Sequence, residues 1–263
     1  MNNEIVKKIK NEVDVEKILM SAMKTPGVKI NRAKFLRKEL IKYCKEDVIE
    51  EAIQGNPAKA GIPVEIINSI SQQVINYETT KVTGLSVAAS LPGGGAAVGA
   101  ALADITSYFA FVLRVVQELA YLYGFEQFEF NEDDLDSESM QFILLFMGVM
   151  FSVQGASEVL KKLSEAFSRK IAKDMAKKAL TKGMIYPIVK RVLKSLGVKI
   201  TKQVFADAVA SAVPIAGGAL SGGLTYAAFR PCCMRLRKNL RATKLCDPNF
   251  YKETMDAEFK ENN

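Results

Sequence analysis

Two stretches of this chain, LPGGGAAVG at 91–99 and VPIAGGALSG at 213–222, constrain its fold more than any other feature. Each joins a proline, a glycine cluster and small apolar residues, inside the uncharged runs 84–103 and 208–229. A proline ends the incoming helix and presets φ for the next one. Glycines four residues apart share one helix face and strip it of bulk, so a second backbone can approach closely. Gly95 and Gly99 have that spacing, and so do Gly218 and Gly222. Superposition of the two stretches places Pro92 on Pro214 and Gly95 on Gly217. The pattern predicts two helix–break–helix units, related by a pseudo-repeat and crossing at their glycine faces.

The rest of the chain is helical in period. Apolar residues recur at 3.6-residue spacing, and no strand alternation extends beyond a few residues. The spacing predicts helices over residues 3–24, 32–44, 64–90, 96–123 and 137–151, the last capped by Ser137 or Ser139. Lysine-rich amphipathic segments follow at 155–180 and 185–196. Further helices start near 201 and near Gly218, the second interrupted by Pro231. With 263 residues, 49% of them hydrophobic, the chain can bury a full core. No Pro/Ser/Gly linker divides it. The expected fold is all-α, a single multi-helix bundle over residues 1–246, with the N-terminal helices 3–45 packed on it and a polar tail at 247–263.

Composition excludes several chemistries. Histidine is absent, which removes histidine bases, histidine metal sites and the histidine-dependent nucleophilic triads. The four cysteines form no CxxC pair, so neither a disulfide framework nor a thiolate zinc site is expected. The glycine stretches fail as nucleotide loops: Gly99 is followed by Ala100 and Ala101 instead of Lys-Ser/Thr, and no strand precedes them. The acidic stretch 126–138 fails the calcium-loop spacing, with Ser139 at the glycine position. No cofactor is implied, no catalytic motif is present, and both facts weigh against an enzyme. No secretory leader opens the sequence, which points to the cytoplasm.

Charge is unevenly distributed. Residues 161–245 carry 19 Lys+Arg against Glu165, Asp174 and Asp207, while 126–138 holds seven acids and no base. On helices, KKLSEAFSRKIAKDMAKKALTK and FRPCCMRLRKNLRATK set lysines and arginines opposite an apolar face. Phosphate is the natural complement of Lys161, Lys162, Arg169, Lys170, Lys173, Lys177, Arg235, Arg237 and Lys238. Few aromatics interleave, so a lipid headgroup layer or an acidic protein is expected and nucleic acid is not. Asp104 is the one charge in a long apolar run, on a helix face with Tyr108, Phe111 and Val115. A lone carboxylate there needs a partner, such as Arg230 or a helix N-terminus. Arg114 and Glu118 stand four apart, with Tyr121 following. Arg230 and Arg235 flank Cys232 and Cys233 and are expected to lower a thiol pKa, although packing is the simpler role.

The segments SLPGGGAAVGAALADITSYFAFVLRVVQELAYLYGF (90–125) and AVPIAGGALSGGLTYAAF (212–229) resemble the EcsC family of bacterial helical proteins. The matching positions are Pro92, Gly94, Gly95, Asp104, Tyr108, Arg114, Tyr123 and Gly124, then Pro214, Gly217, Gly218 and Gly222, within roughly residues 60–240. The resemblance implies an all-helical domain, a bacterial origin and peripheral association with the inner face of the cell membrane. It implies no particular reaction. Three functional expectations follow. The first is a non-enzymatic protein docking its basic C-terminal part on an anionic membrane surface or an acidic protein partner. The second is a hydrophobic small molecule held between helices near Gly95, Gly99, Asp104, Tyr108, Arg114, Gly218 and Gly222. The third is a membrane-inserting effector.

Overall fold

The computed structural model describes residues 14–89, 97–130, 137–168, 181–211 and 218–253; at 85–89, 97–102, 104, 181–182, 200–211 and 218–226 only the backbone is described. Its helices are α1 (Val15–Lys24), α2 (Arg32–Leu40), α3 (Glu46–Gln54), α4 (Val64–Ala89), α5 (Ala97–Leu122), α6 (Glu138–Met150), α7 (Ala156–Ser168), α8 (Tyr186–Ser211) and α9 (Gly218–Arg241). A π-turn at Thr181–Ile185 leads into α8, and a 3₁₀ turn at Lys244–Cys246 follows α9. The described residues contain no strand, so the chain is all-α.

Local chemistry sets most helix starts. Asp14 accepts hydrogen bonds from the amides of Glu16 and Lys17 and opens α1. Asn31 caps α2 through the Lys34 amide at 2.9 Å, and Ser137 caps α6 through Met140. Between the expected helix 32–44 and the loop after Gln54 the structure places α3, which the sequence reading passed over. Its first turn carries Glu46 and Asp47, which favour a helix N-terminus.

Two helices form the centre. α6 is buried from Met140 to Met150, and α5 from Val115 to Leu122. A helix apolar all round must be enclosed. α5 is wrapped by α1, α2, α4, α6, α8 and α9, and α6 by α5, α7, α8 and α9. Ile105–Leu122 is long and apolar enough to cross a membrane by composition, yet 72% of it is buried inside this bundle. Aromatic rings fill the interior in chains: Tyr121 stacks on Phe128, and Phe125 meets Phe146 edge-on at 5.0 Å between centroids.

Two expectations about the helices are corrected. α8 is one helix of 26 residues where two were expected, at 185–196 and from 201. A helix-interior glycine costs only about 1 kcal/mol, and Gly197 lies where a Cβ would stand 3.3 Å from Val15 of α1. α9 runs unbroken through Pro231. That proline is solvent-exposed, as are Ala227 and Ala228 in the turn before it, so a carbonyl deprived of its partner meets water. The tail from 247 is helical over 248–253, and Tyr251 accepts a hydrogen bond from Asn56 at 2.7 Å.

The expected glycine crossing falls largely outside the description. Gly95 is not among the described residues, and Gly99, Gly218 and Gly222 are described as helical backbone alone. Close approach occurs instead at Gly148 of α6, where a Cβ would lie 2.8 Å from Val192 of α8 and 3.1 Å from Ala156. Gly124, at the end of α5, has φ +99°, and a Cβ there would stand 2.8 Å from the Leu245 carbonyl oxygen. Both the left-handed backbone and the space require glycine. Gly124→Ala is expected to cost about 1–3 kcal/mol, read as a lower denaturant midpoint at unchanged slope.

Candidate functional site

One face of α5 carries Arg114, Gln117 and Tyr121 at i, i+3 and i+7, and this polar seam holds the α1–α2 link in place. Arg114 donates through Nη1 to the Gly27 carbonyl. Gln117 donates to the Val28 carbonyl at 2.9 Å and accepts from the Ile30 amide at 3.0 Å. The Tyr121 hydroxyl donates to the Ile30 carbonyl at 3.3 Å. A loop without regular structure thereby has its buried backbone groups satisfied by side chains.

Arg114 also stands between two carboxylates. Its Nη2 lies 3.0 Å from Glu78 Oε1 on α4 and 3.2 Å from Glu118 Oε1 on its own helix. The Glu78 side chain is fully buried and that of Glu118 nearly so. Two acids share one base, and Glu118 Oε2 is buried with no hydrogen-bond partner. Burial and the Glu78 charge together push the Glu118 carboxyl up to about 8, against the pull of Arg114. Arg114 itself is raised: burial works against its charge, but the hydrogen bond to Glu78 and the two carboxylates outweigh it. The expected Arg114–Glu118 pair is therefore present, with Glu78 added and Tyr121 serving the loop instead.

Two further arginines are structural. Arg32, at the first position of α2, turns inward. It donates to the carbonyls of Phe125, Ile53, Ala52 and Gly55 at 2.9, 2.6, 3.1 and 2.8 Å. It thus caps the C-terminal end of α3 with a cation, where the helix dipole favours one. Burial lowers its pKa. Arg237 of α9 donates to Ser71 Oγ at 2.8 Å, Gln72 Oε1 at 3.2 Å and the Asn68 carbonyl at 2.9 Å, riveting α9 to α4. Tyr123 joins this network through Ser71 and Asn68.

The surface feature with the clearest binding chemistry lies on α9. Pro231, Met234, Arg235, Arg237, Lys238 and Arg241 line an open groove of about 520 Å³. Four of its six lining residues are cationic and none is acidic. Arg235 donates to the Met150 carbonyl and Arg237 is engaged with α4. Lys238 and Arg241 are exposed, and no hydrogen bond or ion pair among the described residues engages their charges. Their spacing, with Pro231, Met234 and Arg235, follows one face of the helix.

The other expected residues scatter. Lys161 and Lys162 are exposed on α7; Arg169, Lys170, Lys173 and Lys177 lie outside the described residues. Asp104 is on α5, described by its backbone alone. Tyr108 packs edge-on against Phe109 and Phe229 at 5.6 and 5.8 Å between centroids, so rings occupy the space beside it. Arg230 has a buried Nε without a hydrogen-bond partner. The thiol expectation is corrected: burial raises Cys232 despite Arg235 and raises Cys233 still further, leaving both as packed thiols. Among the described residues no group of three or more His, Cys, Asp or Glu could hold a metal ion. Sequence reasoning missed Glu78 and Arg32. The signal for Arg32 was a cation at a helix start, where the dipole disfavours it. No family model, no curated protein and no solved structure matches this chain.

The raised Glu118 carboxyl makes stability pH-dependent. The folded state holds this proton more tightly than the unfolded chain, whose carboxyl titrates near its ordinary 4.5. The favourable contribution is complete below that value and is lost as pH rises through about 8. Glu118→Gln cannot ionise, so its thermal midpoint is expected to fall less than the parent's across this window. Identical pH profiles for the two proteins contradict the assignment.

Proposed function

We propose that this protein is a non-catalytic helical module that docks on the anionic cytoplasmic surface of a membrane through the basic groove of α9. The observation that carries the reading is the groove itself: exposed Lys238 and Arg241 beside Met234 and Pro231, with no acid in the lining. Ammonium and guanidinium groups beside short apolar side chains match phosphate headgroups above a glycerol layer. The surplus of basic residues over 161–245 supplies the longer-range attraction, which acts within about 8 Å at physiological salt. The resemblance of residues 90–125 and 212–229 to the EcsC family carries the same expectation of peripheral association.

The two other readings find less support. A hydrophobic ligand beside Tyr108 competes with the rings of Phe109 and Phe229 for the same space. Insertion of α5 would first have to strip Ile105–Leu122 of its six neighbouring helices. An acidic protein partner uses the same charges as a membrane and is separated from it by experiment.

Co-sedimentation with vesicles tests the proposal. Binding is expected to vesicles of phosphatidylcholine with phosphatidylserine, not to phosphatidylcholine alone, and to weaken at high salt. Lys238→Ala and Arg241→Ala are each expected to lower the partition coefficient about fivefold, at roughly 1 kcal/mol per cation. Absence of binding to both vesicle types overturns the proposal in favour of a soluble acidic partner.

A further inference from the structure

A second surface bears on the same question. Among the described residues the exposed large apolar side chains include Ile41 at 59%, Tyr77 at 54% and Tyr43 at 39% exposure. Tyr43 and Tyr77 meet along one face of α4, and Ile41 lies two residues before Tyr43 in the chain. Ile41 and Tyr43 belong to the turn that ends α2, and the Tyr43 hydroxyl accepts a hydrogen bond from Gln73 Nε2 of α4 at 2.8 Å. Tyr77 lies one turn further along the same face of α4. Lysines lie beside them: Lys42 and Lys45 are exposed in the same connection, which Glu46 and Asp47 follow, and Lys81 Nζ stands 4.5 Å from the centre of the Tyr77 ring. No ion pair among the described residues engages Lys42, Lys45 or Lys81.

The placement links this patch to the groove. Arg237 of α9 grips α4 at Asn68, Ser71 and Gln72, while Tyr43 reaches it at Gln73. Adjacent residues of one helix turn thus receive α9 on one side and the α2–α3 turn on the other. Between them runs the exposed stripe of α4, with Ser69, Gln73, Asn76 and Thr80. Groove, stripe and tyrosine patch are therefore neighbours on one side of the bundle.

Exposed tyrosine and isoleucine rimmed by unpaired lysines have the chemistry of the layer between lipid headgroups and acyl chains. The ring and aliphatic parts leave water, while hydroxyl and ammonium groups stay among phosphates. A single weak membrane signal gives marginal, reversible binding, and firm attachment takes two. We propose that Ile41, Tyr43 and Tyr77 form an interfacial anchor that enters an anionic bilayer beside the α9 groove, with Lys42, Lys45 and Lys81 on lipid phosphates. The proposal rests on the membrane reading of that groove.

The chain contains no tryptophan, so Tyr77→Trp places a single indole at the centre of the patch. The variant is mixed with phosphatidylcholine–phosphatidylserine vesicles, with and without brominated acyl chains. The expected result is a blue shift of the emission and quenching by the brominated chains. Ile41→Ser combined with Tyr77→Ser, both at exposed positions, is expected to lower partitioning severalfold with unchanged thermal stability. Co-sedimentation with emission unshifted and unquenched overturns the anchor and leaves the groove reading intact. No co-sedimentation of the parent protein overturns both.

Discussion

An arginine shared between two carboxylates in the interior is the interaction on which this bundle depends. Arg114 reaches Glu78 from α4 and Glu118 from α5, and its remaining nitrogen holds the Gly27 carbonyl of the α1–α2 link. Stripping a carboxylate of water costs several kcal/mol, and a pair returns that only when its geometry and hydrogen bonds are good. Here the base is outnumbered. The excess acid is accommodated by keeping Glu118 protonated into the neutral range, so one negative charge faces one positive charge in the core. Removing the arginine would strand the Glu78 charge and take from Glu118 its hydrogen-bond partner. The contact therefore fixes the register of α4 against α5 and seats the first two helices on them.

The same division of labour appears across the basic half. On α9 the described cations do not act as one patch. Arg235 and Arg237 are spent on the Met150 carbonyl and on α4, where they hold α9 in place. Lys238 and Arg241, on the outward side of the same turns, remain for an external anion and also suit the negative end of α9. With Arg235 bound to α6 and Arg237 to α4, α9 is held from two sides and presents Lys238 and Arg241 rigidly, which lowers the conformational cost of meeting a phosphate-bearing surface.

The sequence carried the parts of this fold that depend on local periodicity. α4 and α5 end within a residue or two of the expected places, Ser137 caps α6, and Gly124 stops α5 in a left-handed conformation. It carried less wherever a distant partner decides. Glu78 reads as an ordinary polar residue of α4, because its burial depends on α5 arriving alongside. Arg32 reads as one charge of a basic amphipathic helix, while its role is set by the end of α3. Gly197 and Pro231 read as breaks because propensity penalises them, but packing and solvation offset the penalty in place. Of the residues expected at an interhelical site, Tyr108 is half-buried and packs against the core, and half-buried Arg114 pairs with Glu78 and Glu118.

A double-mutant cycle on Glu78 and Arg114, read by denaturant unfolding, tests the central contact most directly. Glu78→Gln, Arg114→Met and the double variant are compared with the parent protein. The account predicts that the two single changes fail to add: once Arg114 is gone, replacing Glu78 by a neutral residue relieves a stranded charge, with a coupling of at least about 1 kcal/mol. Additive effects within about 0.5 kcal/mol would show the two side chains to be energetically independent and contradict it.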